Sequence, residues 1–236
     1  MIELLLPLGW LWDFVYRFRR FCYNYGLFKQ ERFQVPIISI GNLTFGGTGK
    51  TPLTLWLSEY YENQGKKVMI LTRGYRGELE QKTGVLLSER RLGFNPLKYG
   101  DEAALLARRL KNATIVVGKN RAQNLEYYYE KYAPDVVILD DGHQHLKLER
   151  DLNIVLFDAL LPLERYRVAP LGYMRENFQA LKDTRLIAIG RADQVERDKV
   201  EELKNTLRPY AAKDVAFVEI AYRPSGFFSP EYQKVY

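Results

Sequence analysis

The sequence predicts an α/β fold built on a mostly parallel sheet, with an amphipathic helix at the amino terminus. Three observations predict it. Short β-branched apolar runs alternate with longer helical stretches, the pattern of parallel βαβ units. A glycine-rich loop closing on Gly49-Lys50-Thr51 follows the first apolar run and opens a helix, which is the context of a phosphate loop. A later apolar run ends in Asp140-Asp141-Gly142, where phosphate-loop NTPases and kinases hold Mg²⁺.

Composition narrows the class. The chain has 236 residues, 47% of them hydrophobic and 27% charged, which excludes a mostly disordered chain. A single cysteine, Cys22, excludes a disulfide framework and multi-cysteine zinc sites. The two histidines, His143 and His145, leave little for histidine-based metal chemistry. With 35 Lys+Arg against 29 Asp+Glu, the net charge of +6 favours anionic partners. The basic residues are dispersed and carry no recognition motif, so nucleic acid is not expected among them.

Residues 1–28 (MIELLLPLGWLWDFVYRFRRFCYNYGLF) are the most aromatic part of the chain. Leu4, Leu8, Leu11, Trp12 and Val15 fall on one helical face. Trp10, Trp12, Tyr16, Arg17, Arg19 and Arg20 are residue types that sit at a lipid headgroup boundary. Each arginine near an anionic leaflet adds about 1 kcal/mol, so three together offer roughly 3. The basic residues follow the apolar stretch, unlike a secretory signal. Asp13 interrupts it, and no run reaches the ~18–20 apolar residues of a bilayer span. A first helix packed on the core is the competing reading.

Beyond a connector at 29–34, strands are predicted at 35–40, 68–71, 113–117, 136–139, 154–157, 186–189 and 215–220, with a hairpin arm at 85–88. Helices are predicted at 53–64, 101–110, 121–132 and 195–207. The segment 159–182 is long and poor in strands, which in a compact domain points to function or mobility.

Parallel sheets carry ligands beyond the carboxyl ends of their strands, so the candidate residues lie in those loops. Gly46, Gly47, Thr48, Gly49, Lys50 and Thr51 form the phosphate loop, although Thr44 stands where the strict pattern has its first glycine. Backbone N–H groups would cradle phosphate, Lys50 would reach the terminal phosphates and Thr51 would offer a hydroxyl to Mg²⁺. Adjacent carboxylates on a strand point to opposite faces, so one of Asp140 and Asp141 is expected to face the metal. Arg73 and Tyr75 follow the second strand. Asp101 and Glu102 open a helix, where the alternatives are plain capping and a proton-accepting and metal-supporting pair. Gln144 and His145 lie just past the acids, and Arg175 and Glu176 lie in the long segment as phosphate-handling groups or a surface ion pair.

These residues resemble the tetraacyldisaccharide 4′-kinase (lipid A 4′-kinase) family. The resemblance runs through PIISIGNLTFGGTGKT (36–51), LTRGYRG (71–77), GDEA (100–103), the Arg121 region, the stretch 135–158 and the segment 170–176. It implies an ATP- and Mg²⁺-dependent kinase acting on the 4′-hydroxyl of an acylated glucosamine disaccharide 1-phosphate, at the cytoplasmic face of the bacterial inner membrane. Carried across, Lys50 and Thr51 bind phosphate and Mg²⁺, Asp101 is the base, and Glu102 and Asp141 help to hold Mg²⁺. Asp140, Gln144 and His145 organise the site, while Arg121, Arg175 and Glu176 handle phosphate or substrate charge. His143 replaces an apolar or aromatic residue and inherits no role. The division implied is a membrane-associated helix and connector at 1–34, a kinase domain at 35–220, and a tail or the start of an incomplete second lobe at 221–236. The family's second lobe carries an Asp-His motif that neither His143 nor His145 supplies. A non-catalytic nucleotide-binding membrane module and a related GTPase therefore stand as alternatives, the latter without an N-K-x-D motif.

Overall fold

The computed structural model describes residues 6–90 and 93–223. Leu4 and residues 224–236 of the expected tail lie outside them. In chain order the elements are α1 (Leu6–Asn24), β1 (Ile37–Asn42), α2 (Lys50–Asn63), β2 (Val68–Thr72), β3 (Gly84–Leu87), α3 (Pro96–Tyr99), α4 (Asp101–Arg109), β4 (Thr114–Val117), α5 (Arg121–Tyr132), β5 (Val136–Asp140), β6 (Leu152–Asp158), β7 (Leu186–Gly190), α6 (Arg197–Leu207) and β8 (Ala216–Ile220).

The eight strands form one sheet in the order β3-β4-β2-β5-β1-β6-β7-β8. All pairings are parallel except β3 with β4. β1, β2 and β5 are buried along their whole length, as central strands covered on both faces must be. Alternation along the strands separates the two faces. Ile38, Ile40, Ile70 and Ile138 pack with Leu106 and Ala103 of α4, and Leu53 and Leu57 of α2 lie against them. Ile37, Leu71, Val137 and Leu139 pack with Ala122 and Leu125 of α5. Val155, Phe157 and Ile189 pack with Val200, Leu203 and Leu207 of α6.

The differences from the sequence reading have local causes. α2 begins at Lys50, three residues before the predicted start, because Gly49 caps it in the left-handed region (φ 89°). Pro52 is tolerated there because its missing N–H falls in the first turn. α3 is not among the predicted helices; Asn95 caps it by accepting from the Leu97 N–H, with Pro96 at its first position. β3 is no hairpin arm, since α3 and α4 intervene before its antiparallel partner β4.

α1 is attached in an unexpected sense. Leu8, Leu11, Val15, Phe14, Phe18 and Trp10 are all exposed, and only Gly9 and Cys22 of this helix are buried. The contacts that hold α1 run from its polar side: Asp13 accepts from Asn177 Nδ2 at 2.9 Å, and Arg20 pairs with Glu176. The reading of α1 as a core helix packed by its apolar face is therefore corrected. No helix among the described residues is long and apolar enough to cross a membrane.

This arrangement separates two leucines. Leu71 is 0% exposed at the centre of the sheet and Leu11 is 61% exposed on α1. Leu71→Ala is expected to destabilise the protein by about 2–5 kcal/mol, and Leu11→Ala by no more than about 0.5. Denaturant unfolding of the two variants checks the contrast.

Candidate active site at the carboxyl edge of the sheet

The carboxyl ends of β1, β2, β4 and β5 lie side by side, so their loops converge on one cleft of about 940 Å³. Gly46, Gly47, Thr48, Gly49, Lys50 and Thr51 line it, together with Arg73, Tyr75, Glu102, Arg121, Asp141, Gln144, His145 and Arg175. The sequence puts the phosphate loop, the Arg73–Tyr75 loop and the loop after Asp141 at this edge; the fold brings Glu102, Arg121 and Arg175 to it as well. Tyr16, Phe45 and Lys119 line the cleft too and were missed as site residues. Lys119 had a readable signal, as a basic residue two positions past β4. Tyr16 had none, because nothing in the sequence says that α1 reaches this edge.

Two glycines make the approach of the loops possible. Gly74 and Gly100 both have left-handed φ (68° and 89°), and a Cβ on Gly100 would meet the Gly74 carbonyl carbon at 2.9 Å. Only backbones without side chains pack this closely. The contact brings the Arg73 and Tyr75 loop against the start of α4, where Asp101 and Glu102 sit. Gly100 occupies the cap position and no side chain caps the helix, so the capping reading of Asp101 is corrected. Asp101 is exposed and lies outside the cleft lining, next to Glu102 within it.

The acid pair divides where β5 ends, with Asp140 its last residue and Asp141 in a turn of left-handed φ. Asp140 is buried and accepts from Thr54 Oγ1 of α2 at 3.0 Å. Asp141, with φ 49°, turns into the cleft. It pairs with Lys50 at 3.5 Å and accepts from Arg175 at 3.0 Å, and Arg121 donates to its main-chain oxygen at 3.0 Å. Lys50 also donates to Asn42 Oδ1 at 3.2 Å. Arg175 is aimed by its backbone: residues 173–175 run against 43–45, with Phe45 N–H donating to Tyr173 O at 2.7 Å and Arg175 N–H to Leu43 O at 2.6 Å. Its guanidinium lies over the Phe45 ring, 5.4 Å from the centroid.

The remaining candidates take supporting places. Gln144 donates to Asn42 O at 2.9 Å. Arg150 donates to the carbonyl oxygens of Gly142 at 3.3 Å and His143 at 3.0 Å, which fixes the loop after Asp141. Glu176 is buried behind the cleft against Arg20 and does not line it. The surface ion pair once weighed for Arg175 and Glu176 is therefore corrected, since each pairs elsewhere. On the far side of the phosphate loop, the Tyr222 hydroxyl donates to Gly49 O at 3.0 Å.

Charge explains the protonation states. Burial pushes Asp140 up to about 6, helped by the nearby Glu102 and Asp141 carboxylates. Burial also acts to raise Asp141, but Lys50, Arg175 and Arg121 outweigh it and hold this carboxyl below its ordinary value. Burial, then Arg121 and Arg150, depress His145 to about 3, so its ring is neutral at physiological pH. A neutral His145 keeps one ring N–H and offers a ligand one donor and one acceptor without carrying charge.

Several buried polar atoms facing this region have no hydrogen-bond partner: Thr48 Oγ1, Asp141 Oδ1, Arg121 Nε, Arg175 Nε, Gln144 Oε1 and His145 Nε2. Buried polar groups are usually paired, so this set points to a ligand. The donors and cations suit phosphate, and Asp141 with Glu102 suits a hard cation. Among the described residues no three Asp, Glu, His or Cys side chains could hold a metal alone.

A parallel sheet, a glycine-rich strand-to-helix loop ending in Lys50-Thr51, and an acid at the end of the neighbouring strand define a phosphate-loop nucleotide-binding protein of the NTPase and kinase class. The profile of one such family, tetraacyldisaccharide-1-P 4′-kinase (LpxK), matches residues 1–226, and the chain belongs to that family. It is 40% identical over 190 residues to the tetraacyldisaccharide 4′-kinase of Syntrophotalea carbinolica, covering 80% of this chain and 53% of that protein. It is 39% identical over 199 residues to the one of Pelobacter propionicus, covering 84% and 53%. The chain thus spans about half the length of these curated relatives. Among solved structures, LpxK from Aquifex aeolicus in complex with ATP superposes with a TM-score of 0.74 at 26% identity, covering 100% of this chain and 87% of that one.

The buried acid gives a pH-dependent test. A carboxyl raised from 3.8 to about 6 in the folded state loses stability as pH climbs through that window. The rise corresponds to about 3 kcal/mol at neutral pH. Asp140→Asn is therefore expected to raise the melting temperature at pH 7 without metal or nucleotide, with the advantage vanishing near pH 4. Thermal unfolding of both proteins from pH 4 to 8 checks the sign and the window.

Proposed function

We propose that this chain is the nucleotide-binding part of a kinase. It transfers the γ-phosphoryl group of ATP to the 4′-hydroxyl of an acylated glucosamine disaccharide 1-phosphate. The observation that carries the reading is the convergence, in one cleft, of the phosphate loop, Asp141 with Glu102, and Arg121 with Arg175, in a chain of this family.

The residues take these parts. Backbone N–H groups of Gly46, Gly47, Thr48 and Gly49, at the positive end of α2, bind phosphate oxygens. Lys50, released from Asp141, neutralises the terminal phosphates. Thr51, Glu102 and Asp141 would hold Mg²⁺, which when bound neutralises charge on the β- and γ-phosphates. Asp140 stays beneath, fixing the acid loop through Thr54. Arg175 and Arg121 stabilise the transferring group, and Arg73 and Tyr75 face the acceptor sugar. Gln144, His145 and Glu176 hold these groups in place. Asp101, exposed at the mouth and free of a capping bond, accepts the hydroxyl proton as the sugar oxygen bonds to the γ-phosphorus and the bond to ADP breaks.

The outward apolar arc of α1 supports contact with an anionic membrane, at the cytoplasmic face of the bacterial inner membrane. A groove of about 820 Å³ lined by Leu8, Leu11, Trp12, Val15 and Pro170 lies beside Tyr16, which also borders the catalytic cleft. That adjacency suits a substrate with acyl chains in the groove and sugar in the cleft. Arg20 faces inward and Arg19 donates to Gln144 O. Arg17, whose side chain is 58% exposed and pairs with Asp13 at 3.9 Å, is then the arginine of the three best placed to meet lipid, so the headgroup contribution falls from roughly 3 to about 1 kcal/mol.

Phosphoryl transfer from ATP to the disaccharide acceptor in Mg²⁺ and detergent tests the reading. Lys50→Ala should lower the rate by about 10²–10³-fold, and Asp101→Ala should lower it while sparing ATP binding; full activity in both would remove the assignment. ATP binding without any transfer would favour the non-catalytic module, and preference for GTP in competition the GTPase reading. For the membrane contact, Leu11→Asp with Val15→Asp should abolish co-sedimentation with phosphatidylglycerol vesicles without lowering the melting temperature.

A further inference from the structure

α1 makes its polar contacts where an anchor has no need of them. Trp12 Nε1 donates to the Arg175 carbonyl oxygen at 2.9 Å. Arg19 donates to the Gln144 carbonyl oxygen at 2.9 Å. Arg20 pairs through Nε with the Glu176 carboxylate and donates through its second amino group to His143 Nε2 at 2.8 Å. A guanidinium has only donors, so Nε2 of His143 is the acceptor. Glu176 and His143 are both buried, and Arg20 reaches them from a helix whose other face lies in solvent.

The four bonds end on two short segments, 143–144 and 175–176. The first begins two residues after Asp141, and the second carries Arg175. These are the two groups that meet across the cleft, with Arg175 donating to Asp141 at 3.0 Å. No helix or strand contains either segment. Segment 175–176 is tied to the stem of the phosphate loop by the Arg175 N–H bond to Leu43 O, and 143–144 by the Gln144 side chain on Asn42 O. α1 closes the remaining side and joins the two.

We propose that α1 is a positioning element of the metal site: Arg20, with Trp12 and Arg19, staples segment 143–144 to segment 175–176 and so sets the placement of Asp141 and Arg175. The seating of α1 then governs the affinity for metal-bound nucleotide, while the phosphate loop itself is untouched. This rests on the proposed function insofar as Mg²⁺ and ATP are the ligands.

The test separates metal-bound from metal-free nucleotide by calorimetric titration of the full chain with ATP in Mg²⁺ and with ATP in EDTA. Partners that orient ligands typically matter by 10–100-fold in metal affinity. Arg20→Gln should weaken Mg·ATP by about that factor and metal-free ATP by clearly less, a split that general loss of structure would not give. Arg20→Lys, which keeps the charge without the two-pronged geometry, should recover part of the loss. Trp12→Phe removes one hydrogen bond and should weaken Mg·ATP by about two- to tenfold. Unchanged Mg·ATP affinity in a folded Arg20→Gln variant overturns the proposal, as does an equal loss with and without metal. If Arg20→Gln fails to fold, unchanged affinity in Trp12→Phe overturns it alone. A parent protein that binds Mg·ATP with no effect of either variant leaves the kinase reading intact, whereas one that binds no Mg·ATP removes both.

Discussion

The parallel pairing of β1 with β5 is the constraint on which the rest depends. Ile40 stands opposite Asp140 in that register, so the strand that launches the phosphate loop ends level with the strand that delivers the acids. A slip of one residue would turn every side chain of β5 to the other face. Asp140 would leave Thr54, Ile138 would leave the α4 side of the sheet for the α5 side, and Leu139 would do the reverse. Register is therefore enforced by two apolar layers at once, and the site inherits its precision from the core.

Within that frame the cleft is a balance of charge. Asp141 is held ionised by Lys50, Arg175 and Arg121, and the same cations are then available for phosphate. Asp140 carries the opposite arrangement: it is buried, near other carboxylates, and tied to a neutral hydroxyl. Adjacent acids thus end in environments that drive their proton affinities apart. His145 is surrounded by cations and stays neutral. The contrast follows from where β5 ends: Asp140 stays in the strand and Asp141 turns out of it into the cleft.

Much of this was legible because it is local. Apolar runs of strand length, the glycines before Lys50, and Asp140-Asp141 each declare themselves within a few residues, and parallel topology then places them at one edge. What was hidden depends on distant partners. Glu176 looked like a member of the site, but its carboxylate turns away to Arg20, 156 residues earlier. Asp101 had a capping role open to it until the backbone of Gly100 took the position. α3 escaped because a helix so short has no period, although Asn95 and Pro96 marked its start. The spacing of Leu8, Leu11 and Val15 puts them on one helical face, yet spacing does not say whether such a face looks inward.

That orientation has a practical side. The exposed apolar belt running from Leu8 to Phe18 makes this part of the described molecule prone to self-association in water. The helix that carries it is the one bonded to the loops beside Asp141. Detergent, protein concentration and storage history are consequently chemical variables of the cleft as well as of solubility, because helices that stick to one another pull on the same bonds that shape it.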